Sequence, residues 1–179
     1  MNLRKILRAA ESVKAVDGPA GALAGTVRRV LRDSKLDGLL RGSWLGHPVH
    51  PLLVTLPIGA WLSAAAFDAV GRREPARQLV ALGLAAVPPT AVAGLADFGE
   101  LTADQRRVGL LHLAANTAAS GLFAGSYVCR RQGHHTAGAV WSTLGLLVLS
   151  AGGALGGHLS YAQGAGVHRW EAPTSTDQA

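Results

Sequence analysis

The chain has 179 residues, 49% of them hydrophobic and only 16% charged, with a formal net charge of +6. A charged share well under the ~25% of soluble domains excludes an ordinary soluble α/β enzyme. Few aromatics beside plentiful Gly, Ala and Leu fit helices that pack through small residues in a bilayer. The basic excess would suggest nucleic acid in a soluble protein. Here about half of the 17 Lys and Arg lie in the first 41 residues, and most others sit between apolar runs. Basic residues flanking membrane spans account for that placement, so nucleic acid is not an expected partner. Cys129 is the single cysteine, which excludes an intramolecular disulfide and any thiolate metal cage or iron–sulfur cluster built from this chain alone.

Residues 1–43 read as a basic arm. Leu3, Ile6, Leu7, Ala10 and Val13 recur at helical spacing with charges opposite, and Asp17-Gly18-Pro19 is expected to break that helix. Residues 21–33 and 36–40 form two further amphipathic pieces. Basic amphipathic helices beside a span are expected at the membrane surface, with a docking module for a partner helix as the alternative. The arm does not read as a secretory signal, since charges interrupt its apolar positions.

The arm ends at Gly46-His47-Pro48-Val49-His50-Pro51. Prolines after both histidines favour extended backbone there. With about three residues per polyproline turn, His47 and His50 should project to one side, just before a helix that Pro51 is suited to start.

Four apolar runs follow, near Pro51–Val70, Gln78–Ala96, Val108–Val128 and Ala139–Ser160, each close to the ~20 residues that cross a bilayer. Short connections make consecutive spans antiparallel. The expected fold is therefore all-α, an integral membrane four-helix up-down bundle over 44–168 with N-terminal amphipathic helices and a polar tail, 169–179. Asp68 is expected to pair with Arg72 or Arg73. Pro88-Pro89 should kink the second span. Gly121 with Gly125, Gly152 with Gly156, and Gly153 with Gly157 read as close-packing pairs. Trp44, Phe98, Tyr161 and Trp170 read as one aromatic belt, and Phe67, Tyr127 and Trp141 as the other.

Antiparallel order also sorts the polar residues. The start of span one, the end of span two, the start of span three and the end of span four share a side. Those places carry His47 and His50, Asp97, His112 with Asn116 one turn on, and His158 with Tyr161, and His168 follows. His134 and His135 fall in the opposite loop and read as solvated. Histidines on facing helices are how a bundle ligates haem, while imidazole plus carboxylate builds a non-haem iron or zinc site. A hydrogen-bonded polar cap tying four helix ends is the third reading. For haem b, His112 and His158 are the expected axial pair because both lie inside spans, with His50 as substitute and His47 behind it. Asn116 and Tyr161 would adjoin the cofactor. A non-haem metal would draw on His112, His158, His50 and Asp97.

Trp44-Leu45-Gly46-His47-Pro48-Val49-His50-Pro51 and Leu56-Pro57-Ile58-Gly59-Ala60-Trp61 resemble the opening of a bacterial membrane-protein family, domain-of-unknown-function family 2231. The likeness continues through Gly94-Leu95-Ala96-Asp97, His112 to Thr117 and Gly156 to Tyr161. The resemblance implies a four-span bundle in the bacterial inner membrane. Some relatives carry a Rieske iron–sulfur domain that this sequence lacks, so a Rieske-type partner would be a separate protein. The expected function is a membrane-embedded, b-type haem electron-transfer component. The alternatives are a non-catalytic membrane anchor or a non-haem metal protein. Termini are expected in the cytoplasm, because the arm carries no export signal; the N-terminal side holds more Lys and Arg in total, but near the spans the two sides are almost equal.

Overall fold

A computed structural model describes residues 3–167, and every regular element in that range is helical. His168, Trp170 and the expected polar tail lie outside the described residues. The arm folds as α1 (Leu3–Glu11), a 3-10 turn (Lys14–Val16), α2 (Asp17–Leu31) and α3 (Lys35–Arg41). The first span is α4 (Val49–Leu53) followed directly by α5 (Thr55–Ala69). The others are α6 (Arg73–Phe98), α7 (Ala103–Arg131) and α8 (His135–Gly157), which ends in a π turn, His158–Ala162. Val49–Ala69, Arg73–Phe98, Ala103–Arg131 and His135–Ala162 are each long and apolar enough to cross a membrane. Leu56, Leu62, Leu82 and Leu147 are exposed on these spans and face lipid.

The boundaries follow from local chemistry. Asp17-Gly18-Pro19 does not break a helix as expected but begins one. Proline in a first turn gives up an N–H that has no intrahelical partner anyway, and Asp17 suits the positive end of the helix. Pro51 is not the first helical residue either: Pro48 is the extended N-cap of α4, with ψ 131°, and His50 is already helical. Pro57 lacks the N–H that would reach the Leu53 carbonyl, and the helix is interrupted at Val54. The Thr90 hydroxyl of α6 donates to the Ala86 carbonyl at 2.7 Å and lies 3.4 Å from the Leu53 carbonyl. Helix α6 runs through Pro88-Pro89 without interruption, its loose carbonyls tolerated among neighbouring helices. Helix α7 begins at a capping box. Gln105 N–H donates to the Thr102 hydroxyl and Thr102 N–H donates to the Gln105 side chain. Gly71 and Gly133 close the two hairpins that share a side, with φ of +72° and +82°, values that a residue with a Cβ rarely adopts.

Helices α5 and α7 meet at the centre of the bundle. Trp61 and Phe123 stack there with ring centroids 3.8 Å apart and planes 10° from parallel. Each ring fills the space over a glycine of the following helix. A Cβ on Gly83 would strike Trp61 and one on Gly145 would strike Phe123, both closer than 3.0 Å. Lipid removes most of the hydrophobic drive between spans, so such close fits are what hold them together.

Below the stack, Arg130 has a side chain with 0% exposure and grips Asp68 with two bonds, Nη1 to Oδ1 at 2.7 Å and Nη2 to Oδ2 at 2.6 Å. Its Nε donates to Ser126 Oγ at 3.0 Å and its Nη2 to Ser142 Oγ at 3.3 Å. Asp68 therefore pairs with Arg130, not with Arg72 or Arg73. A cation deep in the bundle has a stronger claim on a carboxylate than loop arginines that water can solvate. Phe98 likewise leaves its expected belt. It is 5% exposed and packs with Ala20, Ala24 and Leu101, where the arm docks on the bundle.

Asp68→Ala strands the Arg130 charge and should destabilise the protein by about 3–5 kcal/mol. Thermal unfolding in detergent should show a markedly lower midpoint than for the wild type. An unchanged midpoint would mean that this pair does not hold α5 to α7.

Candidate functional site

Above the Trp61–Phe123 stack, the four spans leave a cavity of about 820 Å³. Its walls are mainly apolar, with Val54, Leu95, Leu113 and Leu149 among them. His47, His50, Asp97, His112, Asn116 and Tyr161 supply polar atoms.

Two histidines are fixed in the same manner. His50, on α4, donates Nδ1–H to the Thr90 carbonyl of α6 at 2.9 Å. His112, on α7, donates Nδ1–H to the Gly152 carbonyl of α8 at 2.8 Å. Each imidazole lies against a glycine one turn beyond its carbonyl. A Cβ on Gly94 would come within 2.9 Å of the His50 ring, and one on Gly156 within 2.8 Å of the His112 ring. The two rings face each other with centroids 6.3 Å apart and planes 86° from parallel. Because a carbonyl can only accept, the Nδ1–H tautomer is set in both rings; each Nε2 then carries the lone pair, that of His112 lying 3.4 Å from the Asn116 amide. Histidines that ligate metals are held this way, with the far nitrogen tied to a backbone carbonyl or carboxylate.

The other expected residues divide. Asn116 Nδ2 donates to the His112 carbonyl at 2.8 Å and sits 3.3–3.4 Å from both ring nitrogens, so it braces that imidazole. His47 is exposed at the cavity rim and donates Nδ1–H to the Pro48 carbonyl at 3.0 Å. Asp97 is part of the wall, and Tyr161 is 92% exposed at the mouth. His158 is committed elsewhere: its Nε2–H donates to Glu11 Oε1 at 2.6 Å and the ring is not part of the cavity wall. Among the described residues no three His, Cys, Asp or Glu side chains gather as a metal-holding group. His50, His112, His158 and Asp97 therefore do not surround one point. In the opposite loop His134 is exposed as expected, but His135 is half-buried and its Nδ1 has no hydrogen-bond partner.

Thr90, Gly94 and Glu11 belong to this face of the protein and were not legible as such. Thr90 contributes through its carbonyl, which any residue carries. Gly94 matters by lacking a side chain. Glu11 reaches His158 across 147 residues of sequence.

The arm is latched beside the cavity. Arg107 donates Nε–H and Nη2–H to the two Asp17 carboxylate oxygens at 2.6 and 2.8 Å, and Nη1–H to the Glu11 carbonyl at 3.0 Å. Arg28 donates to the Gly99 carbonyl at 3.2 Å. Ala20 and Ala24 pack on Phe98 and Leu101, which are themselves cavity walls.

Fold and site together define a four-span helical membrane protein with a histidine-rimmed cavity between its spans. The chain belongs to the family described as predicted membrane protein (DUF2231), which matches residues 46–169. No curated protein and no solved structure matches the chain. The matched region begins at the His47–His50 motif and leaves out the arm.

The Arg107 hydrogen bonds hold the Asp17 carboxyl below its ordinary value of 3.8. A carboxylate with a lowered folded-state pKa stabilises docking above its unfolded value, and that contribution is lost as pH falls through the folded value. Protection factors of the amides across α1 and α2, measured against the intrinsic rate at each pH, should therefore stay high from neutral pH down to about pH 4 and fall below it. Asp17→Asn should exchange fast already at pH 7. Equal protection in the variant and the wild type at pH 7 would rule out this latch.

Proposed function

We propose that this protein binds one b-type haem in the four-span cavity, with His50 and His112 as axial ligands, and passes electrons at that face of the membrane. The observation that carries the proposal is the pair of facing imidazoles, each tied by Nδ1–H to a backbone carbonyl so that Nε2 is left to bind. Two imidazoles sharing one metal through bonds of ~2.0–2.1 Å have ring centroids roughly 6–6.5 Å apart. The observed 6.3 Å lies within that range. A volume of about 820 Å³ and apolar walls suit a large flat cofactor. Haem needs only two protein ligands, whereas a non-haem iron or zinc site needs three or more. The missing third ligand among the described residues therefore favours haem. This reading replaces the His112–His158 pair by His50–His112, since His158 is bound to Glu11.

Bound haem would supply one-electron chemistry. The chain's own part is to hold two imidazoles in one tautomer, to brace His112 through Asn116, and to keep water out with apolar walls. The implied location is the bacterial cytoplasmic membrane with termini inside, supported by the basic arm. A separate redox protein, of the Rieske type that the family resemblance suggests, would exchange electrons at the cavity face. The rival reading is a structural cap in a non-catalytic anchor. It rests on the same two hydrogen bonds, which tie α4 to α6 and α7 to α8.

The test is to express the protein with haem supply, purify it in detergent and record oxidised and reduced absorption spectra. Haem bands are expected in the wild type and in His158→Ala, with at least a tenfold loss in His50→Ala and in His112→Ala. A folded, colourless wild-type protein would leave the structural cap as the answer.

A further inference from the structure

We infer that the bundle is two copies of one histidine-bearing helical hairpin, and that the cavity is a two-fold site to which each copy contributes half. The inference does not depend on which group the cavity binds. It begins with the separation of 62 residues between Asp68 and Arg130. Applied along the chain, the same shift brings a set of structural features of α4–α6 onto counterparts in α7–α8, while the break at Val54 and Pro88-Pro89 belong to the first half alone.

The shift maps His50 onto His112, Thr55 onto Thr117, Gly59 onto Gly121, Trp61 onto Phe123, Gly71 onto Gly133, Gly83 onto Gly145, Leu84 onto Leu146 and Gly94 onto Gly156. Helices α6 and α8 begin at counterpart residues, Arg73 and His135. The hairpin turns are bonded alike. Gly71 N–H donates to the Asp68 carbonyl at 3.0 Å, and Gly133 N–H to the Arg130 carbonyl at 3.1 Å. Arg72 N–H donates to the Phe67 carbonyl at 2.8 Å, and His134 N–H to the Cys129 carbonyl at 2.9 Å. The half-sites match in the same way. Each histidine donates to a carbonyl 40 residues on and rests on a glycine four residues past it.

Counterparts also touch each other. His50 faces His112, Trp61 stacks on Phe123, and Asp68 grips Arg130. Contact between equivalent positions is the signature of a two-fold axis, here along the membrane normal as in parallel repeats of other membrane bundles. A like pair on that axis would place two equal charges together. Opposite charges at 68 and 130 remove that repulsion and specify one assembly. The remaining differences between the halves at this level follow from the arginine. Ser126 and Ser142 bond the guanidinium where the first half has Ala64 and Val80. Gly138 leaves room for the arginine stem, since a Cβ there would lie 2.5 Å from Arg130 Cγ, where the first half has Ala76.

Two exchanges across the axis test this with no cofactor involved. The first moves the whole ionic cluster: Asp68→Arg, Ala64→Ser, Ala76→Gly and Val80→Ser, together with Arg130→Asp, Ser126→Ala, Gly138→Ala and Ser142→Val. The second is Trp61→Phe with Phe123→Trp. Asp68→Arg and Arg130→Asp alone should each reduce the yield of monodisperse protein in detergent at least tenfold. The cluster exchange should restore at least half of it. The aromatic exchange should melt within a few degrees of the wild type, above Phe123→Trp alone. Recovery in either exchange supports the duplication. Failure of both, with each exchange no better than its single variants, would overturn it.

Discussion

Arg130 cannot reach water, and much of the bundle is arranged around that fact. An unpaired guanidinium at this depth would cost several kcal/mol. Asp68 supplies the counter-charge, and Ser126 and Ser142 accept from Nε and Nη2. Each partner comes from a different place, so satisfying one side chain fixes α5, α7 and α8 relative to one another. The Trp61–Phe123 stack sits one layer above and depends on that spacing. The cavity lies above the stack, so its width is set from below by a polar cluster and an aromatic plate.

The histidines follow the same rule with a different result. Each buries one ring nitrogen by donating to a helix carbonyl. That satisfies the donor and fixes the ring plane, and it leaves an acceptor lone pair on Nε2 at an apolar cavity. This asymmetry between the two nitrogens is the physical core of the haem proposal. The N-terminal arm answers to another demand. It engages His158, Arg107 and the Phe98 cluster beside the cavity, so residues outside the matched family region still bear on that face.

Much of the fold was legible in the sequence because lipid imposes a strong pattern. Apolar runs of about 20 residues with short connections leave little choice but an antiparallel helical bundle. The sharing of one side by His47, His50, Asp97 and His112 followed from that alternation. What was not legible depends on rotation about each helix. The chain shows i,i+4 pairing of Asp68 with its neighbours, whereas Arg130 comes from another span. His158 lies inside a span, which points to the cavity, but it turns towards Glu11 in the arm. Phe98 has the position of a belt residue, and the arm that buries it carries no signal of where it docks. The 62-residue correspondence was present in the letters throughout. It is faint there because the identical pairs are mostly glycines with a few scattered His, Thr and Leu, and the matched positions touch only once the helices are packed.

The most direct measurement of the central claim is low-temperature electron paramagnetic resonance of the oxidised protein, purified after expression with haem supply. If His50 and His112 hold a haem with their ring planes 86° apart, the expected spectrum is a low-spin ferric signal of the strongly anisotropic kind that crossed imidazoles produce. That signal should be replaced by a high-spin one, or lost, in His50→Ala. A folded wild-type protein with no ferric haem signal, or with a high-spin signal that His50→Ala leaves unchanged, would contradict the account.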